Sequence, residues 1–265
     1  DYYTNVEELH QRFHSLVQTS SVTKRVMYVH GIIGVGKTSL LEMYRLYCKT
    51  ENVPVALVSE DLHSNLFDVI RNLVNDLEDD GLSFNAFKRS VNHHASLIDK
   101  VLEEAKNNTE QFASVAAGIG LQAVGIGPIA SIAGDAFGLF ADWIIGILSE
   151  NESNFLEDPI EQLTVNFKKG LEKAAQKYRI VLLFDNYGQK PALDQWIIEL
   201  VKDLPPNVLT VITAEKALGN ERGHFWSNWF IKELKPLSQE DMYRLLKNYL
   251  STLGVDNPDP NQIED

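Results

Sequence analysis

Apolar positions along this chain fall into two rhythms. Over residues 5–17, Val6, Leu9, Phe13, Leu16 and Val17 recur at three- and four-residue spacing, which places them on one face of an amphipathic helix. After Lys24 and Arg25 the rhythm changes to an unbroken run, Val26-Met27-Tyr28-Val29. A run this short, rich in β-branched and aromatic residues, predicts a strand buried on both faces. Glycines interrupt the pattern over residues 31–36, and helical spacing resumes over 37–48. A second strand is predicted over 53–58, followed by helical stretches at 65–79 and 84–106. Asp158-Pro159-Ile160-Glu161 has the chemistry of a helix start, with Asp as cap, Pro at the first position and Glu in the first turn. That helix is expected to run to about residue 177. Ile180-Val181-Leu182-Leu183-Phe184 is the most strand-like segment, residues 193–204 read as a helix ended by Pro205-Pro206, and 208–213 and 229–234 read as strands. Ser238 and Asp241 form a capping-box-like start for a helix over 242–250.

Strands alternating with helices predict an α/β fold: a mostly parallel central sheet covered by helices on both faces, in three layers. No internal repeat is visible. Asn257-Pro258-Asp259-Pro260 reads as an extended linker. With 265 residues and 44% hydrophobic composition, the chain has ample material for a core.

Charge narrows the partners. Lys and Arg total 24 against 37 Asp and Glu, a net charge of −13. Such a chain has no general attraction to nucleic acid phosphates or anionic lipid, so no nucleic acid partner is expected. Cys48 is the single cysteine, which excludes an internal disulfide and a cysteine-based zinc site. Residues 1–5 lack the basic and apolar regions of a secretory signal. Together these fit a cytoplasmic location.

The strongest chemical signal is Gly31-Ile32-Ile33-Gly34-Val35-Gly36-Lys37-Thr38, which fits G-x-x-x-x-G-K-[ST] between a predicted strand and a predicted helix. The glycines let backbone N–H groups turn toward a phosphate with no Cβ in the way. The helix start, where Ser39 follows Thr38, adds partial positive charge. Lys37 is suited to neutralise β- and γ-phosphate oxygens, and the Thr38 hydroxyl to bind Mg2+. Such a loop needs a carboxylate at a neighbouring strand end for the Mg2+ shell. Asp185, directly after 180–184, is in place for that role. The next residue is Asn186, which can orient a water but is no general base, so nucleotide binding is better supported than rapid hydrolysis. His30, the pair His93-His94 and Cys48 read as structural: His93-His94 has no acidic or thiol partner nearby in sequence, and Cys48 lies beside Tyr44 and Tyr47 on a helix.

The order of blocks goes further: the glycine loop, then Ile180 to Tyr187, then Trp196 in a helix, then Leu204-Pro205-Pro206 running into Val208 to Ala214, then Glu233-Leu234-Lys235-Pro236-Leu237-Ser238. In this order the chain resembles the nucleotide-binding domain of the STAND group of AAA-related P-loop NTPases, which includes the NB-ARC proteins. The resemblance covers about residues 1–250 and is most specific at the glycine loop. It implies a P-loop NTPase fold of the ASCE/AAA type, with Gly31 to Thr38 as Walker A and Asp185 as the Walker B acid. It also implies a nucleotide-binding domain over 1–235, with the start of a truncated helical lid over 236–265. Lys216 stands where such proteins often place a sensor arginine; a solvated loop charge explains it equally well, and lysine lacks the bidentate fork. The stretch Thr4-Asn5-Val6-Glu7-Glu8 departs from the Gly-Arg-Glu signature that helps hold adenine, and the acids common just after Walker B are replaced by Asn186 and Gly188. The functional implication is a molecular switch holding ADP at rest and ATP, with Mg2+, when active. Self-association would accompany activation, and sensing repeats or an effector domain would lie outside this stretch.

One segment stands apart. Residues 112–134 contain no Asp, Glu, Lys, Arg or His, long enough for a transmembrane helix. They are loaded with Gly and Ala, which favour insertion weakly, and Gly125, Gly127 and Pro128 break the middle. The region 112–148 is read first as a helical insertion against the core, with a membrane-active or oligomer-contact element and a spanning helix as alternatives. Two further functions compete with the switch. A turnover enzyme such as a GTPase would show Asn-Lys-x-Asp, which is absent, and no kinase acceptor site is identifiable. A non-hydrolysing interaction or membrane module is favoured by Asn186 and the apolar segment.

Overall fold

Among the described residues, four of the five strands are runs of nearly continuous burial, as expected of strands covered on both faces. A computed structural model describes residues 6–19, 25–59, 65–107, 148–157, 159–218 and 225–252. Within them the order is α1 (Glu7–Gln18), β1 (Val26–His30), α2 (Lys37–Thr50), β2 (Val55–Val58), α3 (Leu66–Asp79), α4 (Asn85–Asn107), α5 (Glu150–Glu157), α6 (Pro159–Ala175), β3 (Ile180–Tyr187), α7 (Pro191–Lys202), β4 (Val208–Ala214), a 3-10 turn (Phe225–Asn228), β5 (Trp229–Glu233) and α8 (Gln239–Thr252).

All described strand pairs are parallel, and the sheet runs β2-β3-β4-β1-β5. Successive side chains point to opposite faces. Met27, Val29, Val55, Val181, Leu183, Leu209 and Val211 pack under α1 and α2. Val26, Tyr28, Ala56, Val58, Ile180, Leu182, Phe184 and Ile212 pack under α3, α4, α6 and α7. The predicted three-layer α/β arrangement is what these two cores amount to.

The connections place the functional end. The chain leaves β1 toward β2, passing β4 and β3, whereas it leaves β4 in the opposite direction, past β1 to β5. Right-handed crossovers running in opposite directions lie on opposite faces, which opens a crevice beyond the carboxyl ends of β1 and β4.

Helix starts follow their local chemistry. The Asn65 side chain accepts the Asp68 N–H at 2.9 Å to cap α3, and Ser238 accepts the Asp241 N–H at 3.1 Å at the start of α8. Pro191 occupies the first turn of α7. The cap expected from Asp158 lies outside the described residues.

Two strand boundaries differ from expectation by more than one residue. β2 begins at Val55, not residue 53, because the Val53 N–H donates to the Cys48 carbonyl (2.8 Å) to close the turn after α2, and Pro54 has no N–H to give. β3 continues through Asp185 to Tyr187 by way of a bulge at Asn186, which takes φ 56°. The outer edge of β2 is covered: Val55 and Leu57 donate their N–H groups to the Asp80 and Asp76 carboxylates at 2.9 and 3.0 Å.

Among the described residues no helix is long and apolar enough to cross a membrane. Residues 112–147, to which the insertion and membrane readings apply, lie outside the described residues. So does the part of the expected lid past Thr252.

Candidate functional site

The glycine loop sits on the crevice between β1 and β4. Its base is clamped on both sides. The Gly31 N–H donates to the Ala214 carbonyl at the end of β4 (3.1 Å), and the His30 carbonyl accepts the Leu234 N–H just past β5 (2.7 Å). Gly31 has no room for a side chain, since a Cβ there would overlap the Leu234 carbonyl oxygen. Gly34 and Gly36 have φ of +79° and +98°, where an L side chain is strained. Nothing lies within 4 Å of where their Cβ atoms would stand, so at these two positions it is the backbone angle, not a lack of space, that calls for glycine.

Gly36 is also the N-cap of α2, and having no side chain it gives the first-turn N–H groups no acceptor of their own. The amides of Lys37, Thr38 and Ser39 belong to that turn, which favours negative charge. Lys37 is buried, with 6% of its surface exposed, and its ammonium donates to the carbonyls of Gly31 (2.8 Å) and Ile32 (2.9 Å). An ammonium carries three N–H bonds, so the lysine holds the loop's curvature with two of them. Ile32 and Ile33 stand exposed at the tip, and Val35 packs inward against the α1–α2 core.

The structure joins this loop to Asp185 across 147 residues of sequence. The Thr38 hydroxyl, at the start of α2, donates to Asp185 Oδ2 at 2.6 Å. On the other carboxylate oxygen, Oδ1 accepts the Asn186 N–H at 3.0 Å and the hydroxyl of Thr213 from β4. The Asn186 N–H also reaches Thr213 Oγ1 at 3.3 Å. Asp185 and Thr213 are both buried, and the bulge at Asn186 turns that amide back onto the carboxylate. Thr213 has no motif around it and looks like any residue of a buried strand; only a hydroxyl at the carboxyl end of such a strand marks it.

Lys216 stands apart from this cluster. Its backbone carbonyl accepts the Tyr28 hydroxyl at 2.8 Å, which fixes the turn after β4, while its side chain is exposed. Burial and the nearby Tyr187 and Asp194 push the Tyr28 hydroxyl well above its ordinary value, so it stays a donor. His93 stacks on Phe155 at 5.5 Å and His94 meets the same ring edge-on at 5.7 Å, a packing arrangement between α4 and α5. Cys48 is fully buried in the α1–α2 core.

Among the described residues no group of three or more His, Cys, Asp or Glu side chains could hold a metal ion by itself. The donor set at Thr38 and Asp185 consists of one hydroxyl and one carboxylate, hard oxygens that suit Mg2+. Two protein groups leave most of an octahedral shell to phosphate oxygens and water, and that is how Mg2+ is bound at nucleotide sites. No protein-family model matches this sequence, and no curated protein matches it.

Proposed function

We propose that this chain is the nucleotide-binding unit of a molecular switch, a P-loop NTPase of the ASCE/AAA type that holds ADP or ATP with Mg2+. The observation that carries this reading is the meeting of three features at one point. A glycine loop with two left-handed glycines leads into a helix start without a side-chain cap, a buried lysine bonds back to the loop, and the Thr38–Asp185 pair stands at the first turn of that helix. Each feature favours an anion or its counter-cation, and together they favour a polyphosphate with a divalent metal.

In this reading the amides of Gly34 to Ser39 surround the terminal phosphates. The Lys37 ammonium donates to a phosphate oxygen, giving up one or both of its bonds to the Gly31 and Ile32 carbonyls. Thr38, with Asp185 behind it, holds Mg2+, which would neutralise charge between the phosphates. Asn186 has an amide where a base would be needed, so turnover is slow and the bound nucleotide acts as a state marker rather than a fuel. The STAND resemblance supports the switch: ADP at rest, ATP and self-association when active, with sensing repeats or an effector beyond this stretch. Lys216, exposed on the turn after β4, takes the sensor position in this reading.

The test is to extract and identify the nucleotide that co-purifies, then to titrate ATP and ADP into the wild type and Lys37→Ala. Loss of bonds to a charged group, worth about 1.5–3 kcal/mol, lowers affinity by about 10- to 100-fold in the variant. Equal affinity in the two proteins, both folded by circular dichroism, would remove the reading.

A second reading, a P-loop protein that binds nucleotide without hydrolysing it, is favoured by Asn186 alone. Single-turnover assays on the same protein separate the two.

A further inference from the structure

We infer that Thr213 is a positioning residue that presets the Asp185 carboxylate for Mg2+, so that it governs how strongly nucleotide binding depends on the metal. The inference rests on the nucleotide-binding reading above and concerns the same site.

An ionised carboxylate offers about four lone-pair positions. Oδ1 of Asp185 is engaged twice, by the Thr213 hydroxyl and the Asn186 N–H, whereas Oδ2 is engaged once, by Thr38. The remaining acceptor capacity therefore lies on the oxygen beside the glycine loop. The terminal torsion of an aspartate is broad and nearly two-fold, so the side chain alone does not choose this orientation. Thr213 chooses it. It stands on β4, the strand between β3, which carries Asp185, and β1, which carries the loop. It has no surface exposure, and its hydroxyl would be costly to bury without a bond.

The Asn186 amide cannot substitute for it. That amide lies at a positive-φ bulge and is shared between Asp185 Oδ1 and Thr213 Oγ1. Removing the hydroxyl takes one donor from Oδ1 and one acceptor from the amide. The carboxylate is then free to turn, and Thr38 loses a fixed partner. The Lys37 ammonium, bonded to Gly31 and Ile32, has no bond to Thr213, so removing that hydroxyl leaves the loop's own phosphate-binding groups in place.

The experiment is calorimetric titration of ADP into wild type, Thr213→Val and Thr213→Ser, each in excess EDTA and in excess Mg2+. Outer-sphere partners of a metal site are worth about 10- to 100-fold in metal affinity, so the gain in ADP affinity from Mg2+ shrinks by about that factor in Thr213→Val, while affinity in EDTA changes by less than about twofold. Thr213→Ser, which keeps the hydroxyl, retains the wild-type Mg2+ dependence. Thr213→Ala serves as a second arm if the valine variant does not fold. An unchanged Mg2+ gain in Val or Ala overturns the inference, and so does an equal loss of affinity with and without the metal. Wild type that binds no ADP under either condition overturns the nucleotide reading itself.

Discussion

Gly31 and Leu234 touch so closely that the glycine's missing Cβ is occupied in effect by the leucine's carbonyl oxygen. The contact ties the first residue of the glycine loop to the turn between β5 and α8. The Leu234 N–H is held by the His30 carbonyl, so neither strand end can move away cheaply. Gly31→Ala is expected to destabilise the fold by about 1–3 kcal/mol, the range for forced overpacking. Urea denaturation measures it, and a midpoint equal to wild type would show that the β5 turn yields.

The β2 edge is predicted to depend on two carboxylates, Asp76 on α3 and Asp80 just past its end. Asp76→Ala leaves the Leu57 N–H without its acceptor, a loss of about 1–3 kcal/mol, toward the lower end because the site is only partly buried. Asp76→Asn, whose amide oxygen can still accept, loses less. Removing Asp80 as well uncovers the Val55 N–H, and the double variant is expected to associate through the open strand. Light scattering at equal concentration reads that association.

Stability is predicted to fall on mild acidification through His94. Burial, helped by repulsion from His93, holds this imidazole below its ordinary value of 6.5. The unfolded chain therefore takes up the proton first. The His94 contribution is complete above pH 6.5 and is lost as pH falls below it toward the folded-state value. His10 shifts the same way, mainly by burial, and supplies a background of the same sign. The urea midpoint is expected to drop less in His94→Leu than in wild type between about pH 7.5 and about pH 5.5. Parallel curves for the two proteins would contradict this.

Cys48 is predicted to report unfolding. Burial, with a smaller push from Asp80, drives its thiol up to about 12, so almost no thiolate exists near neutrality. A disulfide reagent is expected to modify it at the rate at which the α1–α2 core opens, with the labelling rate rising with urea. Prompt labelling of native protein would show that α1 detaches on its own.

Much of this architecture is legible in the chain before folding, because its determinants are local. The helix starts at Asn65 and Ser238 act over three residues, and the strands announce themselves as apolar runs. The grip of Lys37 on Gly31 and Ile32 spans six residues at most, so spacing alone could foresee it. Asp185 was readable as the first polar residue after the strongest apolar run. β2 starts two residues later than its apolar run suggests, because Val53 is apolar yet gives its N–H to the turn after α2.

What tertiary structure alone decided is which distant groups meet. Strand order does not follow sequence order, and it is the pairing β3-β4-β1 that brings Asp185 and Thr213 to the loop. Thr213 carries no spacing signature, since its partners are 27 and 28 residues away and its neighbours are those of any buried strand. Hydrogen bonds between side chains on different strands depend on register and crossover direction. Those are properties of the packed sheet and its two cores, and no local window of sequence contains them.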